Sequence, residues 1–282
     1  MGKFDNILIC TDLDDTLLTA DKRVSDENIA AIKYFMSKGG YFTFATGRMP
    51  QGAKVMLKFI TPNAPIICSN GTAIYDFTQE KFLWMRKLDS GARMVVDYIG
   101  KEVPQAGVVV GCENGVYFPK VNRRTEEHKL LENFPDNYLS LDEIKEQWLK
   151  VIFMTEPDEV ALVRSAIRRS PWADEFEFMQ SSPWYYEMLP KNSTKGSAIP
   201  KLAELLGIDA SRTIGMGDNE NDMSLITMSG IGIAVANAIE PIKQAAKYIT
   251  VDNESHALAK VIYDIENGII SLNSSDAISA KI

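Results

Sequence analysis

The chain has 282 residues, 45% of them hydrophobic and 24% charged, a globular composition long enough for one large or two ordinary domains. Its formal net charge of −8 disfavours a nucleic-acid partner, and its 3 cysteines are too few and too scattered for a disulfide framework or a zinc site. No apolar run of about 18 residues is present to span a membrane, and the N-terminus lacks a signal-peptide pattern, so a cytoplasmic protein is expected.

Residues 7–10 form a short, continuous apolar run of the kind a buried parallel strand shows. The run leads into Thr11-Asp12-Leu13-Asp14-Asp15-Thr16. In open α/β sheets that strand end is where ligands bind. Alternation along an extended chain places Asp12 and Asp14 on one side, with Leu13 turned into apolar packing. Two carboxylates crowded in this way repel unless a cation sits between them or one keeps a proton.

Ser25 caps a predicted helix with Asp26 and Glu27 in its first turn, and Ile29, Ile32, Phe35 and Met36 space its apolar face. Gly39-Gly40 ends it. Residues 41–45 read as a second strand, ending in Thr46-Gly47-Arg48. A helix over 54–60 and a third strand over 65–68 follow, and Asn70-Gly71 comes directly after. Cys10 and Cys68 sit in apolar runs and read as small buried hydrophobes. Strand–helix–strand repetition on this scale argues for a parallel sheet.

The middle of the chain reads differently. Residues 107–111 and 116–119 are strand-like around Glu113-Asn114-Gly115, a hairpin signal. Further strands are expected at 151–155, 175–180 and 184–189, with helices at 90–102 and 158–168. Arg123-Arg124 reads as a solvated basic turn, and His128 and His256 read as solvated. After residue 193 the parallel texture returns. Helices at 195–206 and 222–228, a helix capped by Asn237 and a closing helix at 255–266 alternate with strands at 213–216, 231–234 and 248–251. The expected fold is therefore α/β: a Rossmann-like parallel-sheet core made of 1–79 and 191–282, interrupted by an inserted α+β domain at 80–190.

Four elements fall at predicted strand ends or helix starts: Asp12-Leu13-Asp14-Asp15-Thr16, Thr46-Gly47-Arg48, Lys195 in Thr194-Lys195-Gly196, and Gly217-Asp218-Asn219-Glu220-Asn221-Asp222. Together they supply a carboxylate nucleophile, a hydroxyl and amides for an anion, a cation, and further carboxylates for a metal. Phosphoryl transfer to an aspartate needs that set, because an anion must attack an anion. Taken alone, Asp218 and Asp222 would read as caps of the helix that follows.

In that order and spacing the four motifs resemble the haloacid dehalogenase superfamily, specifically its Cof-like phosphatase branch with a C2-type (IIB) cap. The resemblance accounts for the long insertion between Thr46 and Lys195, which becomes the cap. It implies that Asp12 is the nucleophile and a Mg²⁺ ligand, and that Asp14 is the general acid/base, touching the metal through its carbonyl. Thr46 and the Gly47 amide become the phosphate clamp, Lys195 bridges nucleophile and phosphate, and Asp218 is a further metal ligand. Asn221 would contact phosphate or metal-bound water, Asp222 would orient Lys195, and Arg48 and Asn70 would face the substrate. An oxygen-only ligand set suits Mg²⁺ rather than zinc.

Two departures from the family pattern are visible. Asp15 stands where glycine is frequent, so its side chain is expected to point outward, and Glu254-Ser255-His256-Ala257-Leu258 replaces the usual Glu-Asp-Gly-Val. The implied activity is hydrolysis of small phosphorylated metabolites, sugar phosphates above all, by a monomer or small homo-oligomer. A phosphomutase on the same fold and a non-catalytic phosphosugar sensor are the alternatives.

Overall fold

The computed structural model describes residues 2–272. In chain order its strands are β1 (Leu8–Thr11), β2 (Tyr41–Phe44), β3 (Ile66–Cys68), β4 (Ala73–Asp76), β5 (Lys81–Met85), β6 (Gly107–Cys112), β7 (Val116–Lys120), β8 (Trp148–Met154), β9 (Phe176–Ser182), β10 (Tyr185–Pro190), β11 (Thr213–Gly217), β12 (Ile231–Ala234) and β13 (Tyr248–Ile249). Its α-helices are α1 (Asp26–Ser37), α2 (Pro50–Ala53), α3 (Gly91–Glu102), α4 (Arg123–Glu132), α5 (Val160–Arg169), α6 (Ile199–Leu206), α7 (Met223–Met228), α8 (Glu240–Ala245) and α9 (Ala257–Glu266). No helix among the described residues is long and apolar enough to cross a membrane.

The chain divides into two compact units. The first comprises residues up to Thr46, Met56–Ile67, and Lys195 onward; the second comprises Gly47–Val55 and Cys68–Thr194. β4 pairs antiparallel with β5, Tyr75 opposite Phe82, so residues 68–79 group with the insertion instead of with the parallel sheet.

In the first unit a parallel sheet runs in the order β13-β12-β11-β1-β2. Leu8 stands opposite both Thr213 and Tyr41, and an isolated parallel bridge joins Ala45 to Ile67. β1 is buried along its whole length, as a central parallel strand must be. The chain moves one way from β1 to β2 and the other way from β11 to β13, so β1 and β11 flank the topological switch point. The helices follow their caps. Ser25 accepts the Asn28 amide at 3.3 Å and starts α1, whose Ile32 and Phe35 are fully buried.

In the second unit an antiparallel sheet runs in the order β7-β6-β8-β10-β9. The buried faces of α3 and α5, with Val95, Ile99, Val163 and Ile167, join Val110, Val151, Phe153 and Met188 of the sheet in one core. Val109, Ile152 and Met154 belong to a second cluster, with Met49, Phe118 and Phe134.

Several local expectations are corrected. The helix expected over 54–60 begins earlier, with Pro50 at its first turn, and tightens to a 3₁₀ segment at Lys54–Lys58. Arg123 and Arg124 open α4, capped by Asn122, whose Oδ1 accepts the Thr125 amide at 3.0 Å. His128 on that helix is buried rather than solvated. Asn237 is not a helix cap: α8 starts at Glu240 after Ile239, and Asn237 Nδ2 instead donates to the Asp15 carbonyl at 2.7 Å.

Candidate active site

The site is built at the C-terminal ends of β1 and β11. The Asp12 amide donates to Met216 O at 2.9 Å, which fixes Asp12 to the neighbouring strand as β1 ends at Thr11. The chain then turns instead of running on extended, so strand alternation does not place Asp14. Leu13 is fully buried, as expected, and its carbonyl accepts the amides of Leu17 and Leu18 at 3.1 and 2.8 Å. Asp15 takes a φ of 59°, a left-handed conformation that glycine and aspartate tolerate best, and its side chain is 60% exposed. That conformation is the physical reason glycine suits this position.

At the centre lies Lys195, fully buried. Its Nζ donates to Asp12 Oδ1 at 2.6 Å and to Asp222 Oδ1 at 2.5 Å. Asp222 Oδ2 accepts the amides of Asp218 at 2.9 Å and Asn219 at 3.2 Å, so this carboxylate caps its own turn and aims the lysine at once. The close fit needs Gly217, where a Cβ would lie 2.4 Å from Asp222 Cβ. Asp218 Oδ1 accepts the hydroxyl of Thr16 at 2.8 Å, and the Asp218 carbonyl accepts the Ile239 amide at 2.9 Å.

Ligand oxygens of Asp12, Asp218 and Asp222 all lie within 4.8 Å of one another. Three buried carboxylates therefore face one ammonium. Burial and the charge of Asp222 push the Asp12 carboxyl well above the usual carboxylate range, against the pull of Lys195. The same two causes push Asp218 up to about 7. Burial opposes the charge of Lys195, but Asp12 and Asp222 outweigh it and hold the ammonium charged. This excess of negative charge, carried on oxygen donors alone, fits a hard divalent cation. Lys195 and Thr16 engage one oxygen each of Asp12 and Asp218, and Lys195 and the two amides engage both oxygens of Asp222. Asp222 is thus the carboxylate of the three whose two oxygens are both engaged by these bonds.

The other expected site residues divide by unit. Thr46 is buried in the first unit, its amide on the Ile67 carbonyl at 2.9 Å. Asn221 lies in the turn Glu220–Asp222 of that unit. Asp14 is half-exposed there, with Lys22 Nζ 3.2 Å from its Oδ1. Gly47, Arg48 and Asn70 belong to the second unit. Arg48 is engaged by Glu132 of α4, with 3.0 Å between Nη1 and Oε1. Asn70 is buried at a φ of 53°. Sequence reasoning missed the roles of Thr16, whose place in the first motif was a usable signal, and of Lys22 and Asn237, for which no signal exists.

Comparison with known proteins gives consistent results. A family model for haloacid dehalogenase-like hydrolases matches residues 9–262. A Streptococcus pyogenes serotype M6 protein named as a phosphatase is 28% identical over 265 residues, spanning 90% of this chain and 96% of its own. The Bacillus subtilis 5-amino-6-(5-phospho-D-ribitylamino)uracil phosphatase YcsE is 29% identical over 258 residues, spanning 90% of this chain and 94% of that protein. Among solved structures, the subclass IIB sugar phosphatase BT4131 matches with a TM-score of 0.78 at 20% identity, over 94% of this chain and 100% of that one, a likeness of fold.

Proposed function

The chain belongs to the haloacid dehalogenase-like hydrolases, and on that premise we propose that this phosphatase acts on small phosphate monoesters of sugars or sugar-derived polyols through an aspartyl-phosphate intermediate. The observation that carries the reading is the buried cluster in which Lys195 spans Asp12 and Asp222 beside Asp218. The cluster holds a carboxylate aimed by a cation, and its uncompensated negative charge suits a metal. The substrate class draws support from two relatives: YcsE is named for a phosphorylated ribityl compound and BT4131 for sugar phosphates.

In the first step Asp12 attacks phosphorus in line, and the bond to the leaving oxygen breaks as protonated Asp14 gives that oxygen its proton. In the second, Asp14 takes a proton from water while the water oxygen attacks phosphorus, freeing inorganic phosphate and restoring Asp12. Lys195 offsets charge on Asp12 and on the transferring group, and Asp222 keeps it aimed. Thr46 and the Gly47 amide grip the phosphoryl oxygens, assisted by Asn221, with Arg48 and Asn70 on the substrate side. A Mg²⁺ ion held by Asp12, Asp218 and the Asp14 carbonyl would supply the charge that lets one anion attack another. The 80–190 insertion is the cap that selects the leaving group, because the catalytic residues of the four motifs, which lie outside it, are occupied with the phosphoryl group and the metal.

The test is a panel of sugar and polyol phosphates assayed with Mg²⁺ for wild type and Asp12→Asn. The amide keeps the shape but cannot act as the nucleophile. Turnover of the variant within about tenfold of wild type, some 1.4 kcal/mol in barrier, would sink the covalent mechanism. Return of the phosphoryl group to a second position of the substrate, with no phosphate released, would make the protein a mutase instead.

A further inference from the structure

A buried ion pair in the second unit lacks an explanation in the chemistry above. Lys150 on β8 and Glu187 on β10 are 4% and 2% exposed. Lys150 Nζ donates to Glu187 Oε2 at 2.9 Å, and the Ser181 hydroxyl donates to Glu187 Oε1. Glu187 stands opposite Ile152, two residues along from Lys150, so the pair lies on the sheet face that carries Val109 and Met154. Desolvating two charges there costs more than an apolar pair of the same size would, so the pair is a poor device for stability alone.

Lys150 makes one further bond. Its Nζ donates to the carbonyl oxygen of Gly47 at 2.8 Å. Gly47 follows Thr46 directly in the segment that the proposed mechanism assigns to the phosphoryl group. A Cβ at Gly47 would lie 3.0 Å from Asn70 Nδ2, so close approach of Asn70 favours glycine there. A glycine also leaves the backbone freer to rotate than any other residue. Lys150 removes that freedom by fixing the plane of the peptide between Gly47 and Arg48. The neighbouring contacts act in the same sense: the Arg48 carbonyl accepts the Ser69 amide at 2.9 Å, and Glu132 holds the Arg48 guanidinium.

We propose that Lys150 is a positioning residue for phosphate binding. It fixes the Gly47 carbonyl and so sets the conformation of the turn that grips phosphate, while Glu187 keeps the ammonium aimed. This rests on the reading of Thr46 and Gly47 as the phosphate grip.

The test uses the full-length protein and inorganic phosphate as a competitive inhibitor, with the melting temperature and Mg²⁺ affinity measured alongside. Lys150→Met with Glu187→Gln removes both charges together, so neither is left buried alone, and keeps an acceptor for Ser181. The inhibition constant of phosphate is expected to rise at least about tenfold, the worth of a charge-assisted hydrogen bond, while Mg²⁺ affinity stays at the wild-type value. A purely structural role would leave the phosphate constant unchanged in protein that still folds. Glu187→Gln alone loosens Lys150 without removing it; a rise of about threefold is expected, and it decides the matter if the double variant does not fold. A wild-type phosphate constant in folded Lys150 variants, with Thr46→Val raising it, overturns the role of Lys150 and spares the reading of the turn. If Thr46→Val also leaves the constant unchanged, the turn does not grip phosphate and both ideas fall.

Discussion

The hydroxyl of Thr16 donates to Oδ1 of Asp218 across 2.8 Å, joining the end of the first motif to the fourth, 202 positions away in the chain. Both residues are buried, so solvent cannot replace the bond. With Oδ1 so held, the Asp218 carboxylate has one orientation, and Oδ2 is turned to a defined place. Thr16→Val keeps the shape and deletes the donor. Mg²⁺ affinity is expected to fall about ten- to a hundredfold, the usual cost of losing a partner that orients a ligand. Calorimetric titration with Mg²⁺ measures this directly. Wild-type affinity in the variant would mean that Asp218 is oriented by its backbone alone.

Asp14 and Asp218 should respond differently to truncation. The Asp14 side chain is half-exposed beside Lys22, and the proposed contact with metal is made by its carbonyl, which Asp14→Ala retains. Asp218→Ala removes a buried carboxylate from the cluster itself. Asp14→Ala should therefore lose turnover by at least about a hundredfold, the range for a general acid, with nearly unchanged Mg²⁺ affinity. Asp218→Ala should lose Mg²⁺ binding. Equal loss of Mg²⁺ affinity in both variants would show that the ligand assignment is wrong.

The thiols offer a simple check on burial. Cys10, Cys68 and Cys112 are all buried and free, and burial pushes Cys68 and Cys112 up to about 12 and Cys10 higher still. Since the thiolate is the reactive form, native protein should show no fast reaction with an aromatic disulfide reagent at neutral pH. All 3 thiols should react once the protein is unfolded. A fast-reacting thiol in the native protein would contradict the packing of β1, β3 or β6.

What the sequence revealed, and what it hid, follows from the range of the interactions involved. Asp12, Lys195, Asp218 and Asp222 were legible because each closes a short apolar run or opens a helix, and parallel topology gathers such ends at one sheet edge. The family model confirms the superfamily that their order implied. The grouping of residues 68–79 has no signal of its own in the sequence. It depends on β4 pairing with β5, and neighbouring strands can pair locally or join a distant sheet with the same residue pattern. His128 was misread for a related reason. Its helix is polar along most of its length, and only the packing of Phe134 and Tyr185 against the imidazole, with ring centroids 5.5 and 5.2 Å away, shows that this face is covered. Lys150 sits in an otherwise apolar strand, where a lysine gives no hint of the carbonyl it holds.

His128 also sets a pH dependence of stability. Tyr185 Oη lies 3.2 Å from its Nδ1. Burial, reinforced by the positive charges of Lys150 and Arg48, pushes its pKa down to about 3. In the unfolded chain the ring titrates near its ordinary value of about 6.5. Between those two values the unfolded state binds a proton that the native state refuses, so stability falls as pH falls. The penalty is absent above about pH 6.5, grows by roughly 1.4 kcal/mol per pH unit below it, and levels off near pH 3. Other groups titrate in the same window, the carboxyls of Asp12 and Asp218 among them, so the informative quantity is a difference. Urea unfolding of wild type and His128→Gln at pH 7.5 and pH 5 should show the wild type losing about 2 kcal/mol more than the variant over that interval. The variant will be less stable at both pH values for lack of a matching shape, but its own loss between them should be smaller. Equal losses in the two proteins would mean that His128 accepts its proton in the native state, and that the imidazole is not held dry among Phe134 and Tyr185.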